Sequence, residues 1–240
     1  NNKICGEGTT TYLYSKQAAQ EIYRFNPNAK IIIMLREPVE MMHSFHSQLL
    51  FNGSSETVDD FKQALALEPA RKEGHYIPAR CYEPRLLFYR EMAKFRAQVN
   101  RYLDVFGADN VKNSLFQEFI DNTAIAFQEI LEFIGADSSF EMEFVRINSN
   151  KKVRNKNIQT LVKYPPSRLL EIGKYFIPLP QAQRRQLLEW VKSQIGRANT
   201  QQATRPTLDP EYRAKLTQEL VPDIQKLAQL INKDLSHWYA

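Results

Sequence analysis

The run Ile31 to Leu35, introduced by Lys30, is the longest uninterrupted apolar stretch of the chain, with Asn26-Pro27-Asn28 before it and Pro38 just after. A short, β-branched apolar run between turn residues reads as a buried parallel strand, because a strand covered on both faces has no polar side to alternate with. It is expected to be a central strand. Pro38 stands where a first helical turn tolerates proline, since its missing N–H would have no partner there anyway, so Val39 to Leu50 is expected to continue as a helix. Strand, tight turn and helix is the unit from which α/β folds are assembled.

The rest of the chain supplies crossover helices and one further clear strand. Ser15 to Phe25 has a serine as candidate N-cap and small or apolar residues at Ala18, Ala19, Ile22 and Tyr23, a helix returning to the first strand. Asn52-Gly-Ser-Ser55 is a break, Val58 to Leu67 reads as a helix ending near Pro69, and Gly74 to Pro84 is irregular. From Arg85 to Phe106 apolar residues recur every three or four positions, which predicts one long amphipathic helix closed by Gly107. Asn110 to Phe116 reads as the second strand, and Ala124 to Ile134 as a helix stopped by Gly135. Phe140 to Asn150 fits no single pattern, and the basic stretch after it reads as a loop. Helices follow at Asn157–Tyr164, Arg168–Phe176 and Ala182–Ile195, then a last amphipathic one carrying Leu216, Leu220, Ile224, Leu227 and Ile231. The fold class is therefore α/β, a parallel sheet flanked by helices with a helix-rich C-terminal half, expected as a single domain over residues 1–240. Two clear strands are few for a stable sheet.

Composition narrows the class of function. Of 240 residues, 43% are hydrophobic and 25% charged, ordinary values for a folded, soluble protein. No apolar run approaches the roughly 20 residues that a membrane helix needs. Asn1-Asn2-Lys3-Ile4-Cys5 shows no charged-then-apolar leader pattern. Cys5 and Cys81 are too few for a disulfide framework or a zinc cluster, which favours a reducing, cytoplasmic compartment. Net charge is +5, and Lys151, Lys152, Arg154 and Lys156 fall within six residues. One local anion site accounts for that cluster better than a nucleic-acid face, because no aromatic-interleaved basic stripe accompanies it.

In open α/β sheets ligands bind beyond the carboxyl ends of strands, and Arg36 stands there. Its guanidinium can fork onto a phosphate while the N-terminus of the next helix offers backbone N–H groups. Ser44 follows eight residues on; spacing leaves open whether its hydroxyl reaches the same anion, and a surface Arg with a helix Ser is the competing account. His43 and His46, three apart on one helix, lack a third ligand in register for zinc and read as packing or substrate-side residues. Glu7, in Gly6-Glu-Gly-Thr-Thr-Thr11, is a carboxylate that a flexible entry could place in a cleft, with a solvated loop Glu as the competing and ordinarily stronger account. Asn148-Ser-Asn-Lys-Lys-Val-Arg-Asn155 offers amides, a hydroxyl and cations without an acidic residue, which suits a doubly charged phosphate. His75, Tyr76, Arg80 and Tyr82 either hold a polar acceptor or form a structured surface loop.

Together these segments resemble the sulfotransferases that use 3′-phosphoadenosine 5′-phosphosulfate (PAPS), particularly the bacterial and carbohydrate-modifying branches. Lys30 to Ser44 is similar to that family's 3′-phosphate motif, in which a hydrophobic strand runs into Arg-x-Pro and a Ser follows at this separation. Gly6-Glu-Gly-Thr-Thr-Thr-Tyr-Leu13 resembles the Gly-Glu-Lys-Thr-Pro-Ser-Tyr segment whose Glu is the catalytic base, and Asn148 to Asn155 the late loop that closes over the nucleotide. Leu208-Asp-Pro-Glu through Asp234-Leu-Ser-His-Trp238 also has the look of such enzymes. Two departures stand out: the strand and 5′-phosphosulfate loop that opens the family has no counterpart before Asn1, and Gly8 stands where many relatives carry Lys.

The resemblance implies a P-loop NTPase-like sheet missing its N-terminal strand–loop–helix, which would explain why only two strands are legible. It implies Glu7 as base, Arg36, Ser44, Lys151, Lys152 and Arg154 as the grip on PAPS and its product PAP, and His43, His46, Tyr76, Arg80 and Tyr82 on the acceptor side, with no metal. The acceptor is expected to be a hydroxyl, on a glycan or a small molecule, and a eukaryotic glycan enzyme of this kind would work in the Golgi lumen. Two other readings stay open: a PAP-binding module without catalysis, and a P-loop nucleotide kinase.

Overall fold

The structure is a computed structural model that describes residues 4–53, 55–140, 142–144, 151–166 and 180–240. In chain order the helices and strands are α1 (Ala18–Phe25), β1 (Ile31–Leu35), α2 (Pro38–Asn52), α3 (Phe61–Ala66), α4 (Glu68–Lys72), α5 (Tyr89–Met92), α6 (Phe95–Phe106), β2 (Val111–Leu115), α7 (Phe116–Asp121), α8 (Thr123–Ile134), β3 (Lys151–Val153), α9 (Lys156–Lys163), α10 (Gln181–Ala198), β4 (Thr200–Gln202) and α11 (Pro210–Ile231). The expected helix at Arg168–Phe176 lies outside the described residues, as do parts of the Phe140–Asn150 stretch. No helix among the described residues is long and apolar enough to cross a membrane. The chain divides into two compact units: the first within Asn1–Ser44, Phe88–Val145 and Leu208–Ala240, the second within Phe45–Leu87 and Arg146–Thr207.

In the first unit β1 and β2 pair in parallel, with Ile31 opposite Val111 and Leu35 opposite Leu115. Among the described residues this sheet has two strands, so β1 is not flanked on both edges as a central strand would be. Ile33 and Leu35 are buried, but Ile32 and Met34 are 41% and 39% exposed. Among the described residues β1 is therefore buried on one face rather than two: strand side chains alternate, and Ile33 and Leu35 lie on the covered side. The helical layer of this unit is built from α6 and α11. Val99, Tyr102 and Phe106 share one face of α6, and Leu216, Leu220, Ile224 and Leu227 share one face of α11. Each such side chain contributes about 1.5–3 kcal/mol when fully withdrawn from water. Tyr23 of α1 adds an edge-to-face contact with Phe106, ring centroids 5.6 Å apart.

The predicted Arg85–Phe106 helix is broken into a 3₁₀ turn at Pro84–Leu87, α5 and α6. A break leaves carbonyls without N–H partners on one side and N–H groups without acceptors on the other. Here both sets are satisfied. The Gln98 side-chain amide donates to the carbonyls of Glu91, Met92 and Lys94. On the other side Asp223, from α11, accepts from the backbone N–H of Arg96 at 3.2 Å and from that of Phe95. Apolar periodicity runs through the break unchanged, which is why the sequence reads as one helix.

The second unit begins with the end of α2. Asp60 caps α3 by accepting from the Gln63 N–H at 2.7 Å. The helix ends near Pro69 as expected, α3 stopping at Ala66, but it starts at Phe61 rather than Val58, and Pro69 stands in the first turn of a further helix, α4, where proline is tolerated. Beneath α4 lies a fully buried ion pair. Arg71 donates to Glu56 through both terminal nitrogens, at 2.7 and 2.8 Å, and Glu56 Oε1 also accepts from the N–H groups of Thr57 and Val58. The basic stretch expected as a loop is instead strand β3, antiparallel to β4, with Lys152 opposite Gln201. Asn199 locks the end of this hairpin: Asn155 N–H donates to its Oδ1 and its Nδ2 donates to the Asn155 carbonyl, both at 2.9 Å. Asn155 then caps α9 through the N–H groups of Asn157 and Ile158. A three-residue strand with a partner some fifty residues away leaves no period-2 signal to read.

Two outcomes check these assignments. Arg71→Met strands the Glu56 carboxylate in the interior and is expected to cost about 3–5 kcal/mol in urea unfolding, most of it recovered in Arg71→Met/Glu56→Leu; a loss under about 1 kcal/mol for the single variant would contradict it. Asp223→Ala removes the cap supplied across the break and is expected to cost about 0.5–2 kcal/mol in thermal unfolding, with α6 amides exchanging faster.

Candidate active site

The carboxyl end of β1 delivers Arg36 into a network of four charges. Arg36 pairs with Glu40 one helical turn on, at 3.5 Å, and its guanidinium lies over the Phe116 ring, 5.0 Å from the centroid. Glu40 is held far more closely by Arg213 of α11, at 2.5 Å, and the same guanidinium reaches Glu37 at 3.0 Å. Desolvation opposes the charge on Arg213, but the hydrogen bond to Glu40 and the field of both carboxylates outweigh it and raise its pKa. Two arginines face two glutamates, so the group is locally neutral.

Glu37 also corrects one expectation. The N-terminus of α2 does not offer unengaged N–H groups to an anion, because the Glu37 carboxylate accepts from Val39 N–H at 2.9 Å and Glu40 N–H at 2.8 Å. A carboxylate just ahead of Pro38 occupies the positive end of the helix dipole, which favours negative charge there. Any anion met by Arg36 is therefore met by side chains. Glu40 and Ser44, four residues apart, share one side of α2, with Ser44 roughly 9 Å along the axis from Pro38, while Arg36 precedes the helix in the step from β1. His43, on the same helix, is buried.

Glu7 sits on an exposed arm tied to α6. Tyr12 donates its hydroxyl to Glu7 Oε1 at 2.5 Å, and that bond, with the Glu7 charge, raises the Tyr12 pKa. The backbone behind Tyr12 is held in turn: Tyr102 donates to the Tyr12 carbonyl at 2.8 Å, and Arg101 donates to the carbonyls of Leu13 and Ser15. Burial pushes the Tyr102 phenol up to about 12, so it stays a donor. Tyr12, Arg101 and Tyr102 were not singled out from sequence. Glu40 had a legible signal, the i,i+4 spacing from Arg36; Arg213, 173 positions from Glu40, had none.

In the second unit His46 takes the packing role. It is buried, its Nε2 is 2.9 Å from the Val58 carbonyl, and its ring lies 5.4 Å from that of Phe61. Burial lowers its pKa. Tyr76 and Tyr82 are exposed, on a loop whose base is held at α4 by bonds from Gly74 N–H to Arg71 and from His75 N–H to Ala70. Tyr76 adopts a left-handed φ of 51°, unusual for a residue with a bulky side chain. Arg80 lies over the Tyr164 ring at 4.6 Å. Asn148 to Asn150 lie outside the described residues. The remaining basic cluster is split by the pleat of β3: Lys151 and Val153 line a cavity of about 460 Å³, and Lys152 and Arg154 alternate to the other side. Among the described residues no three His, Cys, Asp or Glu side chains converge as a metal site requires.

No protein-family model matches the chain, and no curated protein does either. A solved structure does. The crystal structure of a sulfotransferase from Alicyclobacillus acidocaldarius superposes with a TM-score of 0.63 at 28% identity, over 97% of this chain and 66% of that one. The chain thus spans just under two thirds of its neighbour's length, and its mixed α/β fold, a small parallel sheet with many helices, is that of the sulfotransferase.

Proposed function

We propose that this protein transfers a sulfuryl group from PAPS to an acceptor hydroxyl, with a carbohydrate as the favoured acceptor. The observation that carries the reading is the placement of Arg36 at the carboxyl end of a parallel strand, just ahead of the helix that carries Ser44, in a chain that shares a sulfotransferase fold. The donor set fits a phosphate dianion. Arg36 presents a planar fork braced by Phe116, and its 3.5 Å pair with Glu40 is long, while Arg213 engages Glu40 at 2.5 Å. An incoming phosphate on Arg36 therefore leaves Glu40 with its closer partner. Recognition of a 3′-phosphate by Arg36 and Ser44 selects PAPS over ATP. Lys152 and Arg154 are assigned to the same nucleotide on the sequence resemblance alone.

PAPS, when bound, would supply the activated sulfuryl group, its sulfur–oxygen bond to the 5′-phosphate breaking as the acceptor oxygen bonds to sulfur and PAP leaving with that bonding pair. Glu7 takes the proton of the attacking hydroxyl; Tyr12 holds one carboxylate oxygen, which leaves the other to accept the proton. Positioning and charge stabilisation carry most of the rate. Exposed Tyr76 and Tyr82 offer aromatic faces to a sugar ring, with Arg80 beside Tyr164 as a fixed cation.

Calorimetric titration of PAP into the full-length protein, with AMP and ATP as controls, tests the nucleotide assignment. PAP is expected to bind tightly and to weaken about ten- to hundredfold in Arg36→Ala, the loss of one charged hydrogen-bonding group. Equal affinity for PAP and AMP would end the reading. Glu7→Gln is expected to lower turnover of radiolabelled PAPS by about 10²- to 10⁴-fold while PAP affinity stays put. Retained turnover would remove Glu7 from the base role, and activity confined to non-sugar alcohols would replace the glycan acceptor.

A further inference from the structure

The cavity in the second unit is an open cleft lined by the end of α2, the β3–β4 hairpin, α9 and α10. Its apolar wall comes from Phe51, Val153, Val162 and Ile195, and its charged lining from Lys151, Lys163 and Arg197, with no Asp or Glu among the lining residues. Three of the polar side chains around it are already engaged: Gln159 donates to the Phe51 carbonyl, Asn199 to the Asn155 carbonyl, and Thr200 to the Gly196 carbonyl. What is left to recognise a ligand is apolar surface, positive charge and the Gln202 amide. Lys163 donates to the neutral Asn52 carbonyl at 2.7 Å, and partial burial lowers its pKa without a carboxylate to offset the loss of water. Lys151 and Arg197 have no carboxylate partner among the described residues.

Charge and hydrophobicity extend beyond the cavity in the same sense. Residues 151–166 and 180–205 hold ten Lys and Arg against one acidic residue, Glu189. Leu187, Val191 and Ile195 recur every four residues along α10, all exposed, and Trp190 beside them is 58% exposed. Ile195 belongs both to this lane and to the cavity wall, so the lane leads into the cavity. A volume of about 460 Å³ is within the range of small-molecule sites.

From this arrangement we propose that the second unit binds a single-chain anionic amphiphile, its hydrocarbon against Phe51, Val153, Val162 and Ile195 and its anionic head among Lys151, Lys163 and Arg197. An inorganic anion would leave the apolar wall bare, and a neutral hydrocarbon would gain nothing from the three water-exposed cations that line the cavity. The pleat that turns Lys151 away from Lys152 makes it part of this site. The proposal stands apart from the sulfuryl-transfer reading, because neither the donor nor Glu7 enters it.

Binding to the full-length protein without nucleotide tests it, using decanoate, decyl sulfate, decanol, decyltrimethylammonium and inorganic sulfate as probes below their aggregation thresholds, read by calorimetry and by Trp190 fluorescence. One equivalent of decanoate or decyl sulfate is expected to bind saturably. Inorganic sulfate should leave Trp190 fluorescence unchanged, the cationic amphiphile should not bind, and decanol should be at least tenfold weaker. Lys163→Glu and Arg197→Glu should each weaken the anions about tenfold or more, with unchanged circular dichroism and melting temperature. Preference for decanoate identifies a fatty-acid-like ligand, and preference for decyl sulfate a sulfate ester; either supports the site. Equal binding of the cationic amphiphile, wild-type affinity in both charge-reversed variants, or binding to anionic vesicles without one-to-one binding of the free probes overturns it.

Discussion

Arg213 and the two glutamates it grips decide where the end of β1 points. Glu37 caps α2 with its carboxylate while accepting from the same guanidinium that holds Glu40, so strand end, helix start and α11 are joined by one set of charges. Each ion pair is partly exposed, and singly such pairs contribute little to stability. Their effect here is geometric. Four charges in two alternating pairs hold Arg36 over Phe116 beside a carboxylate already committed elsewhere, which is how a cation can be placed precisely enough for an anion without that anion being needed for folding.

A different solution appears in the second unit, where Glu56 and Arg71 are withdrawn from water altogether. Taking two charges into the interior is unfavourable unless their hydrogen-bonding groups find partners, and Glu56 meets this condition with both Arg71 nitrogens and two backbone N–H groups. The pair fixes the segment after α2 and the base of the loop carrying Tyr76 and Tyr82. His46 works to the same end from the adjacent turn of α2, spending its ring on the Val58 carbonyl. Polar residues that sequence inspection places near a substrate thus serve in part to hold the loop that carries more exposed ones.

Long-range capping recurs across the fold. Asp223 closes the N-terminus of α6, Gln98 closes the turn before it, Asn199 closes the β3–β4 hairpin, and Tyr102 with Arg101 secures the Glu7 arm. Each is a side chain satisfying backbone groups that a break in regular structure would leave without partners.

Several features were legible from residues alone because their causes are local. Periodicity located α1, α2, α8, α9, α10 and α11, and the β-branched run with its following Arg-Glu-Pro located β1 and the turn at Arg36. The i,i+4 spacing of Arg36 and Glu40 was equally available, though its consequence was not. What depended on tertiary structure has partners distant in the chain: the break within 85–106, which needs Asp223; the strand at Lys151–Val153, which needs β4; the capped rather than anion-ready start of α2, whose glutamates are drawn by Arg213; and the cavity, whose walls come from four separated segments. Hydrophobic period and turn chemistry act over a few residues, so sequence by itself determined which elements form. Which charges and carbonyls remain available to a ligand was decided only when the folded chain brought their competitors within hydrogen-bonding distance.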